Sequence, residues 1–367
     1  MGGTDPATDR DDVDAKVAAV VANWAARFVA NELDSMDVQR AIARVRTWDD
    51  WPRVWEDMAE AYAAHGDRAA DEGHTRTAAA HWRRAALTLQ FAQFALTEDV
   101  VGRERLHRRQ CALYRRAAPL LVPPAQPYEL TAGAARVHGY VRRPTGTAPA
   151  PAVVLVPGLE STKEQFTTYE PHFLERGIAS VSLEGPGQGE GWYAHRFDLA
   201  TWLRAFAEVL RWLPSQPGID AARIAVVGTS FGGFLALRAV ADHPQVTAVV
   251  DIAGPHTLTP LRDLQDVLQQ GFVHLTGAAD VADADARLAD VTLDGVLGRL
   301  AGRPTLVVHG TADRVIPVAH GERIVAEHPG PVTFDRVEGG SHSCNNLHTL
   351  VRPRVADWVA DRLTGRA

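Results

Sequence analysis

Gly228-Thr229-Ser230-Phe231-Gly232 sets a serine between glycines, after the β-forming run Arg223–Thr229 and before the helix-like stretch Gly233–His243. A G-x-S-x-G turn between a strand and a helix can hold a serine hydroxyl exposed at the helix N-terminus. It leaves the following N–H, that of Phe231, free to donate to an oxyanion. The glycines answer crowding, because strand and helix backbones approach closely there. Glycine and serine are also what any tight turn selects, so Ser230 has to be judged by its partners. No Gly-Lys-Ser/Thr follows, so the segment is not a phosphate loop.

An unassisted serine hydroxyl is a poor nucleophile and needs a histidine base oriented by a carboxylate. In a strand–turn–helix elbow of this kind the chain order is Ser, acid, His. Of fifteen histidines, His342 in Val337–Asn346 follows the last strand-like run through a glycine turn and is the candidate base. His309 ends a strand too early, His320 and His328 lie on a helical stretch, and His348 begins the terminal helix. Asp313, in the loop after the strand-like Pro304–Gly310, is the candidate acid, with Asp251 one strand earlier as its rival. The loop after Ala150–Val156 is suited to the second oxyanion donor, the N–H of Leu159. Glu160 in that loop, Glu184 and Glu190 in the glycine-rich Leu183–Tyr193, and Trp24 and Phe28 further upstream are candidates for lining a substrate pocket. The Leu183–Tyr193 loop is no dinucleotide fingerprint, since Pro186 intervenes and G-x-G-x-x-G fails at Glu190. Cys344, two residues from His342, reads as a small buried residue.

These side chains need a scaffold. Before residue 122 the pattern is helical: Val17, Val20, Val21, Trp24 and Phe28 share a face at helical spacing, and Trp55–Gly73, Thr77–Asp99 and Arg103–Leu121 continue the texture. The third stretch resembles a tetratricopeptide-type hairpin, without a 34-residue repeat. The proline-rich Val122–Leu130 breaks the pattern. Seven short apolar runs then alternate with helical stretches, which predicts an open, mostly parallel sheet covered on both faces, with ligands beyond the carboxyl ends of its strands. Residues 255–302 interrupt the alternation as a mostly helical insertion. The expected division is a helical domain over 1–124 and a sheet domain over 125–367.

The formal charge of −7 and the interspersed acidic and basic residues disfavour nucleic acid or an anionic membrane as partner. Two cysteines are too few for a disulfide framework or a cysteine metal site. The polar, acidic start lacks the form of a leader peptide, and no apolar run approaches the roughly 18 residues of a membrane span. The expectation is a cytoplasmic protein without cofactor or metal, acting on a small molecule.

Gly158–Gln165, Glu184–Glu190, Val227–Gly233, His309–Pro317 and Ser341–Val359 together make the chain resemble the α/β-hydrolases grouped around 2,6-dihydroxypseudooxynicotine hydrolase. Fungal polyketide-shortening hydrolases and the FrsA-like group are similar branches. The resemblance implies an α/β-hydrolase fold with the helical third as a cap, and a homodimer as a common state. It also implies a triad of Ser230, Asp313 and His342, with an oxyanion hole from Leu159 and Phe231. The implied activity is hydrolysis of a carbon–carbon bond beside a carbonyl, in a β-diketone-like, polyketide or acyl-arene substrate. Esterase, thioesterase or acyl-transferring cyclase chemistry uses the same triad, and a non-catalytic FrsA-like binding protein is the third reading. Two departures stand out: Glu184 replaces the usual Asp, and the segment after Asp251 holds no acid until Asp263, where the nicotine enzyme has an acidic pocket residue.

Overall fold

The computed structural model describes residues 14–365 apart from 95, 98, 147 and 148, so the polar start (1–13) lies outside the described residues. The chain divides into two compact units, Met1–Leu113 and Tyr114–Ala367. The division falls within a helix, upstream of the proline-rich break.

The first unit carries α1 (Ala15–Ala30), α2 (Ser35–Arg44), α3 (Asp50–Asp71), α4 (Thr75–Gln93) and most of α5 (Val100–Ala117). Asp14 caps α1 by accepting from the Lys16 N–H, and Asp34 caps α2 through the Met36 and Asp37 N–H groups. The short α2, which buries only Val38 and Ala41, has no clear sequence signal. Phe28 is wholly buried, with its ring 4.5–6.2 Å from those of Trp51, Trp55, Phe91 and Phe94. Gly66 of α3 lets the Trp82 indole of α4 lie so close that a Cβ there would meet it at 2.5 Å.

The second unit is built on eight strands: β1 (Ala125–Ala132), β2 (Ala135–Arg142), β3 (Ala150–Val156), β4 (Ala179–Glu184), β5 (Ile219–Thr229), β6 (Val246–Ile252), β7 (Thr305–Gly310) and β8 (Val332–Val337). Their order is β1-β2-β4-β3-β5-β6-β7-β8; β1 and β2 pair antiparallel, β2 meets β4 antiparallel, and every other pairing is parallel. Strand β1 corrects the sequence reading, which took its segment for a break. Pro127 is tolerated because β1 is an edge strand, and its alternating burial lacks the fully apolar run that marks an interior strand.

The helices are α6 (Glu170–Leu174), α7 (Gly191–Ala194), α8 (Leu199–Trp212), α9 (Phe231–Val240), α10 (Asp266–Thr276), α11 (Val281–Leu288), α12 (Ala319–Glu327) and α13 (His348–Thr364). On one face of the sheet Val153, Leu155, Val227, Val250 and Val308 pack against Val351, Val355 and Val359 of α13. The stretch between β6 and β7 carries α10 and α11.

Candidate active site

Ser230 sits between β5 and α9 with φ 54° and ψ −128°. Non-glycine residues seldom occupy this positive-φ region. Its N–H donates to the Ile252 carbonyl at 2.7 Å, and its own carbonyl accepts from the Gly233 N–H at 2.7 Å, so both sides of the strained residue are pinned. The flanking glycines are obligatory. A Cβ on Gly228 would lie 2.0 Å from the Gly232 carbonyl oxygen, and one on Gly232 2.3 Å from that of Val156. Strain held by the surrounding structure in this way is typical of functional positions.

Asp313 follows β7 and His342 follows β8. The His342 Nδ1 and Asp313 Oδ2 are 2.9 Å apart, both residues being buried. The other carboxylate oxygen accepts from the N–H groups of Val315 (2.8 Å) and Ile316 (2.9 Å). Burial pushes the Asp313 carboxyl up, but His342, the Ile316 N–H and His309 together hold it below the usual carboxylate range. The carboxylate can therefore accept from Nδ1–H of His342 and fix the orientation of the ring. Asp251, the rival acid, is wholly buried elsewhere: its Oδ1 accepts from the Gly254 N–H, its Oδ2 has no partner, and burial pushes its carboxyl up to about 7. Cys344 is fully buried, with its thiol pushed up to about 12 by burial, the opposite of an activated nucleophile.

The loop after β3 lies against the elbow. A Cβ on Gly158 would be 3.0 Å from the Thr229 carbonyl oxygen and 3.3 Å from Ser230 Cβ. Among the described residues the N–H groups of Leu159 and Phe231 have no acceptor within the protein. Helix α10 packs against both side chains: Phe272 meets the Phe231 ring edge-on at 5.6 Å, and a Cβ on Gly271 would lie 3.1 Å from Leu159 Cδ2. That same Cβ would lie 2.8 Å from Oε1 of Glu160, which is buried.

Two glutamates considered as substrate contacts are taken up by the protein. Glu184 is wholly buried and accepts from the Lys163 N–H (2.7 Å), Lys163 Nζ (3.1 Å) and the Glu190 N–H (3.0 Å). Burial, offset by Lys163 but reinforced by Glu164 and Glu190, pushes its carboxyl up to about 7. Glu190 is held by Lys163 Nζ (2.8 Å) and Arg115 (3.0 Å); burial opposes ionisation, yet these cations bring it down to about 2. It lines a cavity of about 210 Å³ with Arg115, Tyr128, His138 and Lys163. Sequence reading missed Lys163 and Gln188. Gln188 donates to the Pro157 carbonyl (2.6 Å) and accepts from the Trp202 indole (2.8 Å), so with Glu184 it fastens the glycine-rich loop to the loop of Leu159. The signal available was the pair of polar motifs Gly158–Gln165 and Glu184–Glu190 directly after two strands. Phe28 is enclosed by its own unit's aromatics and offers no surface to a substrate; Trp24, 4% exposed, packs edge-on to Phe94.

A second cavity, of about 250 Å³, lies between the segment after β6 and the acid loop, walled by Leu258, Leu264, Arg314, Ile316 and His320. His256, Asp294 and Glu327 approach one another closely enough to hold a cation. However, Arg323 bonds both carboxylates at 2.7 Å and supplies the positive charge itself.

The sheet order and the strained serine elbow define an α/β-hydrolase. A model of the FrsA-like esterases matches residues 11–364, and the chain belongs to that family. It is 32% identical over 362 residues to 2,6-dihydropseudooxynicotine hydrolase of Paenarthrobacter nicotinovorans, spanning 93% of this chain and 92% of that protein. It is 26% identical over 271 residues to esterase FrsA of Escherichia coli, covering 70% of this chain and 64% of that one. The crystal structure of 2,6-dihydroxy-pseudo-oxynicotine hydrolase superposes with a TM-score of 0.85 at 30% identity, covering 94% of this chain and 97% of that one. AbyA5 shares the fold at 21% identity, with a TM-score of 0.69 over 96% of this chain and 99% of that one. The chain is a hydrolase, and among its described residues no helix is long and apolar enough to cross a membrane.

Proposed function

We propose that the chain hydrolyses a carbon–carbon bond beside a carbonyl, in a β-diketone-like, polyketide or acyl-arene substrate, with Ser230 as nucleophile. The observation that carries the reading is the Ser230 backbone at φ 54°. Ser343 shares the positive φ but at ψ 22°, in the ordinary left-handed region, whereas ψ −128° takes Ser230 outside it, a strain typical of functional positions. His342, oriented by Asp313, takes the Ser230 hydroxyl proton as Oγ attacks the carbonyl carbon. The N–H groups of Leu159 and Phe231 donate to the oxyanion, each such donor being worth roughly 3 kcal/mol in comparable sites. Collapse breaks the carbon–carbon bond; the carbon leaving group departs as an enolate or electron-rich arene and takes the proton from the His342 imidazolium. Water, deprotonated by the same histidine, then releases the acyl group as a carboxylate and frees Ser230. A variant in which His342 activates water directly gives the same products.

Ester hydrolysis by the same groups is the second reading, favoured by the family's name and by the Escherichia coli relative. A panel pairing β-diketones and acyl-arenes with matched esters separates the two. Preference for the carbon–carbon substrates supports the first, and esters cleaved faster by orders of magnitude support the second.

A further inference from the structure

Behind the acid lies a second histidine that the proposed reaction does not touch. His309, on β7, is fully buried. Its Nε2 lies 2.8 Å from the Ile316 carbonyl oxygen. A carbonyl can only accept, so Nε2 carries the proton and Nδ1 is bare. Nδ1 is buried and has no partner among the described residues. Gly321 of α12 makes room for it: a Cβ there would come within 2.8 Å of Nδ1. Nε2 is also 3.7 Å from Asp313 Oδ2, the oxygen that receives His342. The two peptide groups flanking the Ile316 Cα are thus both held, the carbonyl by His309 and the N–H by Asp313 Oδ1.

We propose that His309 is a positioning residue: as a neutral Nε2–H imidazole it fixes the Asp313–Ile316 loop, and through it the direction in which Asp313 presents Oδ2 to His342. The proposal rests on the Ser-His-Asp reading above. Neutrality is part of the device. A cation at His309 would stand beside the oxygen that receives His342 and compete with it for that charge. Burial and His342 disfavour the cation, while the Ile316 carbonyl, Asp313 and Glu322 favour it. Burial wins, and His309 lies below the usual histidine range.

The first test uses the wild-type protein. Nitrogen-15 NMR of the imidazoles should show His309 as the Nε2–H tautomer and untitrated from pH 5.5 to 8.5. A His309 that titrates in that window, or carries its proton on Nδ1, overturns the proposal. The second compares His309→Gln, which keeps a donor for the Ile316 carbonyl, with His309→Phe, which fills the space without one. The Phe variant should lose about ten- to a hundredfold in kcat with KM within about twofold, move the acid limb of the kcat/KM profile, and broaden the downfield His342 Nδ1 proton. The Gln variant should restore most of the rate. Wild-type kcat, pH profile and downfield proton in a folded Phe variant refute the proposal. Should Ser230→Ala stay active, the Ser-His-Asp reading falls instead, while the tautomer and the downfield proton still report on His309.

Discussion

A buried carboxyl takes its character from its neighbours, and the two aspartates at the sheet's carboxyl edge show how far they can diverge. Asp313 has three donors and is held ionised; Asp251 has one donor and is pushed up to about 7 against an ordinary 3.8. The raised value means the folded chain binds the Asp251 proton more tightly than the unfolded chain does. Its contribution to stability is therefore complete below pH 4 and is lost as pH rises through 7. The full effect reaches about 4 kcal/mol. Denaturant unfolding of Asp251→Asn should accordingly show a flatter decline in stability between pH 5 and pH 8.5 than wild type; an unchanged slope would place the carboxyl's ionisation elsewhere. For Ser230, replacement by alanine should lower kcat by at least about a thousandfold while the unfolding midpoint moves only a few degrees. Ser230, Asp313 and His342 could be singled out as candidates because each stands shortly after a strand-like run. The difference between Asp313 and Asp251 was not, since it depends on N–H groups whose direction only the folded loop sets.

At the level of elements, the glycines and polar loop residues set the site's shape. Gly232 has the Val156 and Pro157 carbonyls where a side chain would go. Gly232→Ala should therefore cost at least about 3 kcal/mol, read from chemical denaturation. Gln188 serves both the buried Pro157 carbonyl and the Trp202 indole. Gln188→Ala would leave the first without that donor and the second without its acceptor, a loss of about 1–3 kcal/mol. Because the same residue braces the Leu159 loop, kcat should fall more than KM rises; equal kcat in a folded variant would show that the brace does not reach the oxyanion site. Interior strands announced themselves as unbroken apolar runs. Strand β1 did not, because an edge strand alternates its burial and admits proline. Lys163 was equally hidden: a lysine 3% exposed is intelligible only once Glu164, Glu184 and Glu190 are seen around it.

For the whole molecule, two compact units imply that unfolding need not be a single transition. Phe28→Ala, which empties the centre of the helical unit's aromatic cluster, should cost that unit about 3–5 kcal/mol. Calorimetry should then show a separate early transition, whereas one shifted transition would mean the units unfold together. The two-part organisation was visible as a change from helical to alternating texture, but the division at Leu113 was not, because α5 runs through it without a break in pattern. Substrate choice lay beyond the sequence for a related reason: no motif in the chain encodes the shape of a pocket. The central claim, that Ser230 is the nucleophile, is tested most directly by treating the intact protein with a fluorophosphonate and mapping the adduct by peptide mass spectrometry. The account predicts stoichiometric modification of Ser230 with parallel loss of hydrolase activity. An unmodified Ser230 in a protein that loses activity, or full activity after Ser230 is modified, would contradict it.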